Sequence, residues 1–153
     1  MQWFIDWFTN PFLLVPLMSW VIAQVMKVII NFCVTRKLSI ERLFGDGGMP
    51  SGHSATVSAL ATYCGLCCGT ASVEFALAMI LAIIVCHDAT GVRQEAGKHA
   101  VILAEILNSF DDIYREKIPE MKLKKFVGHT FWQVLVGVCI GVGNALLCYF
   151  FIF

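Results

Sequence analysis

Charge is scarce in this sequence. Only 14% of its 153 residues are Asp, Glu, Lys or Arg, 58% are hydrophobic, and eleven basic residues offset eleven acidic ones. A soluble domain needs a wetted surface that this composition does not supply, so the chain belongs in a membrane, and its length fits a single domain over 1–153. Zero net charge leaves no global basic field, which removes nucleic acid from the expected partners and leaves membrane lipids first among them. The first ten residues lack the basic n-region of a secretory signal; Trp3, Phe4, Trp7 and Phe8 recur there at helical spacing, the pattern of an interfacial anchor. No internal repeat or low-complexity tract is present. The seven cysteines are odd in number and lie almost wholly inside apolar runs, which excludes a disulfide framework. Cys64-x-x-Cys67 has a redox or zinc spacing but no second ligand pair, and it reads as small buried core residues.

What the chain has instead is a series of apolar runs, predicting an all-α integral membrane bundle of about four transmembrane segments plus a charged amphipathic helix. Residues 11–34 are long enough, at about 1.5 Å per residue, to cross a hydrocarbon core of about 30 Å. Gln24, Lys27 and Asn31 share one face of that helix, where the lysine either snorkels to the headgroups, the default near a segment end, or faces a polar interior. Residues 54–69 form a short apolar helix rich in Ala, Ser, Thr and Gly, which suits close packing but is marginal in length for a full span. A turn leads to a third helix over 73–86, which runs on into His87, Asp88 and Arg93. Residues 94–125 hold most of the charge with an apolar stripe of Ile102, Ile106, Phe110 and Ile113, predicting a surface helix stopped near Pro119. Residues 126–153 are the last span, with Gly137-x-x-x-Gly141 as a packing face.

All the Lys and Arg residues fall between Lys27 and Lys125, none between His53 and Val92. With four spans, the connections after the first and third share a side and hold nearly all of this charge. The positive-inside rule puts that side in the cytoplasm and both chain ends opposite. The 47–53 turn, Arg93 and His129 would then converge on one membrane face.

Three groups of residues carry chemistry. The first is Gly47-Gly48-Met49-Pro50-Ser51-Gly52-His53-Ser54-Ala55, a glycine-rich turn opening a helix. Free N–H groups at a helix start, with the positive end of the dipole behind them, bind an oxyanion without a metal. Ser51 adds a hydroxyl donor, Gly52 allows close approach to the backbone, and His53 can give a proton near neutral pH. A Ser-capped helix with a chance histidine is the plainer alternative. The second is Arg93, flanked on its helix face by Ala89 and Gly97, which leave room for a guanidinium to clamp an oxyanion. The third is His129, Gln133 and Gly137 on one helix face, an arrangement suited to an oriented nucleophile or base.

Together these motifs resemble the type-2 phosphatidic acid phosphatase and vanadium-dependent haloperoxidase superfamily, most closely its small divergent membrane branch. Pro50-Ser51-Gly52-His53 matches one family motif, and His129-x-x-x-Gln133-Val134-x-x-Gly137 matches the second half of another with Gln133 in place of an acid. The arginine of that motif lies six residues before the histidine, where this chain has Leu123, so Arg93 is the residue assigned to its role. The first motif survives only as Lys27, with Arg36 or Arg42 out of register.

The resemblance implies a metal-independent, cofactor-free phosphatase acting on a phosphate monoester or lipid phosphate. His129 would attack phosphorus to form a phosphohistidine, and His53 would protonate the leaving oxygen. Gln133 would orient His129, while Ser51, Gly52, Arg93 and Lys27 would hold the equatorial oxygens. Two other readings stand beside it. Glu95 and His99, with His87 and Asp88, could share a metal, against the plainer reading of an ion-paired helix in the headgroup region. A bundle that binds lipid phosphate or a partner through a vestigial site is the non-enzymatic alternative. Self-association into a homo-oligomer is compatible with either.

Overall fold

The computed structural model describes residues 2–36, 48–91, 95, 99, 101–103, 105, 106 and 130–152. Among these the architecture is all-helical. Helix α1 spans Gln2–Thr9, α2 Pro11–Thr35, α3 Gly52–Cys68, α4 Val73–Thr90 and α5 Phe131–Phe151. The predicted boundaries hold to within a few residues for the first three apolar runs, and α5 starts five residues later than the predicted 126. Of the charged segment, Glu95, His99, 101–103, 105 and 106 are helical and exposed; the rest, including its stop near Pro119, lies outside the described residues.

Each helix start has a local cause. Asn10 caps α2, its side chain accepting from the Phe12 N–H at 2.9 Å, with Pro11 at the first helical position, where no N–H is needed. Ser72 caps α4 by accepting from the Phe75 N–H at 3.1 Å. At the other end of α2, Arg36 takes a left-handed conformation (φ 54°) and its N–H donates to the Phe32 carbonyl at 2.8 Å. Helix α1 buries none of its residues, and Trp3, Phe4, Trp7 and Phe8 are all exposed, as an interfacial anchor requires.

Helix α3 is the centre of the bundle. Its many Ala, Ser and Gly residues let neighbouring helices approach closely, and α2, α4 and α5 all pack on it. Gly137 and Gly141 of α5 lie directly on its backbone: a Cβ at Gly137 would stand 2.5 Å from the Ser51 carbonyl oxygen, and one at Gly141 would overlap the Ala55 carbonyl oxygen and approach the Ala59 nitrogen to 2.9 Å. The expected glycine packing face is therefore present, and α3 and α5 run parallel. Helix α2 is antiparallel to both, with Phe12 edge-on to Tyr63 at 5.2 Å near one end and Trp20 against Gly52 toward the other. Helix α4 is antiparallel to α3 as well, fitting Phe75 against Gly65 and burying Ala78 and Ala82 with Val57, Ala61 and Cys64.

Polar groups inside the bundle are tied across helices. Asn144 of α5 donates from Nδ2 to the Val15 carbonyl at 3.2 Å and to the Ser19 hydroxyl at 2.8 Å, and Ser19 donates to the Val15 carbonyl at 3.0 Å. Replacing Gly141 by Val should push α5 off this frame. Overpacking of this kind typically costs about 1–3 kcal/mol, and thermal unfolding in detergent should show a clearly lower midpoint; an unchanged midpoint would refute the packing.

Among the described residues three helices, α2, α4 and α5, are long and apolar enough to cross a membrane. Helix α3 has 17 residues, about 25 Å of helix against a hydrocarbon core of about 30 Å, and a fourth span is not shown. Two expectations change. Lys27 does not snorkel outward: it is 4% exposed and lies inside the bundle with Gln24, leaving Asn31 half-buried on the same face. The protein itself encloses that face, so the lysine head is held among helices and not at their lipid surface. All seven cysteines are free, as expected, but only Cys64 and Cys148 are buried core residues; Cys33, Cys67, Cys68 and Cys139 face outward, because the packing seams take Gly and Ala instead.

Candidate functional site at the starts of α3 and α5

The parallel packing of α3 and α5 brings their N-termini side by side, and antiparallel α2 and α4 bring their C-terminal ends to the same end of the bundle. One bond joins the two motif regions directly: the Ser51 N–H donates to the Gln133 carbonyl at 3.0 Å. Gly48 precedes this point with φ 100°, a left-handed conformation that glycine adopts without penalty, and Met49–Pro50 is a cis peptide.

Ser51 is wholly buried and caps α3. Its hydroxyl oxygen accepts from the Ser54 hydroxyl at 2.9 Å and, more distantly, from the Ser54 N–H at 3.4 Å. The Ser51 hydroxyl therefore keeps one proton to donate, while its amide is committed to α5. The amides of Gly52 and His53 are first-turn donors with no carbonyl one turn earlier to accept them. Gly52 meets a further demand that sequence spacing did not reveal: a Cβ there would stand 3.2 Å from Trp20 Cδ1, 3.4 Å from Trp20 Nε1 and 3.8 Å from Gln24 Nε2. The close approach that glycine permits here is that of α2.

His53 points away from this seam. It is exposed and borders an open groove of about 380 Å³ between α2, α3 and α4, lined also by Leu17, Trp20, Thr56, Val57 and Val85 and almost wholly apolar. Lys27 and Gln24 stand on α2 at the same end of the bundle as the α3 start. Gln133 is half-buried in the first turn of α5, where its Oε1 accepts from the Thr130 N–H at 3.1 Å. That bond belongs to a capping box, in which a long amide or acid side chain three residues into a helix reaches back to the cap. The sequence carries this signal as Thr130-x-x-Gln133, within the same stretch as the family-like pattern that begins at His129.

Ser51, Gly52, His53, Lys27 and Gln133 are thus at one end of the bundle. Arg93 and His129, like Gly47, lie outside the described residues; Gly91 and Thr130, their described neighbours in sequence, close α4 and open α5. No group of three His, Cys, Asp or Glu side chains among the described residues could hold a metal, and Glu95 and His99 are both exposed.

An all-helical membrane protein with two motif-bearing helix starts bonded to each other is the class these features define. The chain belongs to the divergent PAP2 family, whose model matches residues 8–144. It is also similar to an uncharacterized membrane protein, YuiD, of Bacillus subtilis (strain 168), at 40% identity over 153 residues, covering 94% of this chain and 97% of the relative. No solved structure matches it.

Proposed function

We propose that the protein is a metal-independent lipid phosphate hydrolase whose site lies at the joined starts of α3 and α5 and faces the cytoplasm. The observation that carries this reading is the Ser51 N–H to Gln133 carbonyl bond, which ties the Pro50-Ser51-Gly52-His53 turn to the turn that directly follows His129. A phosphoryl group seated there would meet the Gly52 and His53 amides, the remaining Ser51 hydroxyl proton and the positive end of the α3 dipole. Lys27 supplies cationic charge from α2 and Arg93 follows the end of α4. The nucleophile is His129, whose attack on phosphorus forms a P–N bond as the ester P–O bond breaks; His53 gives its proton to the departing oxygen. Water then cleaves the phosphohistidine. The groove beside His53 supports a lipid substrate, because it offers apolar wall to an acyl chain next to the proton donor.

A second reading, a non-catalytic binder of lipid phosphate, draws support from Gln133, whose Oε1 is engaged by the Thr130 N–H and which brings no negative charge to His129.

Vanadate, a tetrahedral phosphate mimic, tests both the site and its orientation. In the presence of chelator it should bind sealed inverted vesicles containing the protein and leave right-side-out vesicles unlabelled. Loss of binding on chelation, with sensitivity to Glu95 and His99 substitutions, would replace this site with a metal centre. Binding confined to right-side-out vesicles would reverse the orientation.

A further inference from the structure

Gln24 is a buried polar side chain for which the catalytic scheme has no use. It is 9% exposed, on the α2 face that also carries Lys27. Its Nε2 lies 3.8 Å from the position a Cβ on Gly52 would take, so the carboxamide stands against the first residue of α3. Its Oε1 is buried and makes no hydrogen bond among the described residues. Leaving such an oxygen unpaired costs about 1–3 kcal/mol, and buried polar groups nearly always find partners.

An anion by itself does not relieve this cost, because a carboxamide oxygen accepts and cannot donate. A ligand that carries a donor beside its negative oxygens does relieve it. The monoanion of a phosphate monoester is such a group: an unprotonated oxygen takes the Nε2–H, and the P–O–H proton goes to Oε1. The two bonds close a ring between a planar amide and a tetrahedral hydrogen phosphate. Turning the amide over exchanges its two ends and leaves the same pair of bonds available.

We propose that Gln24 is a specificity residue that recognises the protonated, monoanionic form of the bound phosphate group. The inference rests on the reading of the α3 start as a phosphate site and adds to it which ionic form is selected. Lys27 and the helix dipole attract any oxyanion of this size, with no preference for one that bears a proton. Discrimination falls to the amide. Sulfate, which has the same shape and carries no proton near neutrality, leaves Oε1 unpaired and is rejected.

Equilibrium binding of inorganic phosphate and of sulfate to the purified protein in detergent tests this. At about pH 6, where inorganic phosphate is mainly the protonated monoanion and sulfate carries no proton, phosphate should bind at least about tenfold tighter than sulfate, the ratio expected when one buried acceptor goes unmet. Gln24→Met, which keeps the volume and removes both amide bonds, should bring the two affinities within about twofold, mainly by weakening phosphate. Equal affinities in the native protein would overturn the role of Gln24 even if the variant failed to fold, and so would selectivity that survives Gln24→Met. Failure of the native protein to bind either ion would instead refute the phosphate site on which the inference stands.

Discussion

Protein incubated with a labelled lipid phosphate and quenched in base is expected to retain a phosphoryl group that acid removes, and His129→Ala is expected to abolish it. Phosphoramidate bonds to histidine have this stability profile, whereas phosphoserine survives acid. The expectation follows from the joined helix starts: Ser51 is bonded to Gln133, and His129 precedes Gln133 by four residues in sequence. A nucleophile elsewhere would leave the label untouched in the variant. Gln133→Glu sharpens the test. Glutamate serves a capping box as well as glutamine does, so the Thr130 contact survives while a negative charge appears four residues after His129 in sequence. Higher hydrolysis in this variant is the outcome expected if the native histidine lacks an orienting charge. No phosphoenzyme, together with no hydrolysis in either protein, would favour the binding reading.

His53→Ala should cut turnover by about 10²–10⁴-fold, the usual contribution of a general acid, with vanadate affinity nearly unchanged. The separation of the two effects comes from where His53 sits. It is exposed on the groove side of α3, away from the buried Ser51 and Ser54 contacts, so its loss removes a proton donor and leaves the helix start intact. Turnover and binding falling together would place the imidazole in ground-state phosphate binding. Unchanged turnover would remove His53 from the reaction.

Much of the fold was legible because a membrane helix leaves a strong trace: length and apolar content marked α2, α4 and α5, and Gly137 and Gly141 marked the face of α5 that meets α3. The fate of Lys27 was not legible. Snorkelling and burial differ by which neighbours surround the helix, and that is decided by residues on α3 and α5 distant in sequence. For the same reason Gly52 read as space for an anion, although its Cα faces Trp20 and Gln24 of α2. At the site, local signals such as the Ser51 cap could be seen in the sequence, since a cap bonds within its own turn. The Ser51 to Gln133 bond could not, because it joins residues 82 positions apart. Spacing alone puts Gln24 on a polar face, but that its oxygen finds no partner among the described residues depends on the side chains around it.

The enclosure of α3 bears on how the protein is made. A helix rich in small and hydroxyl-bearing residues gains little from lipid, and its companion α5 starts 79 residues further along the chain. Until then the strip formed by Ser51, Ser54, Ala55 and Ala59 has no Gly137 or Gly141 to cover it, and the Ser51 amide has no carbonyl to meet. Biogenesis therefore leaves the two halves of the site apart until the last helix has been translated, so that a chain stalled before α5 holds the Pro50-Ser51-Gly52-His53 turn without the seam that fixes it.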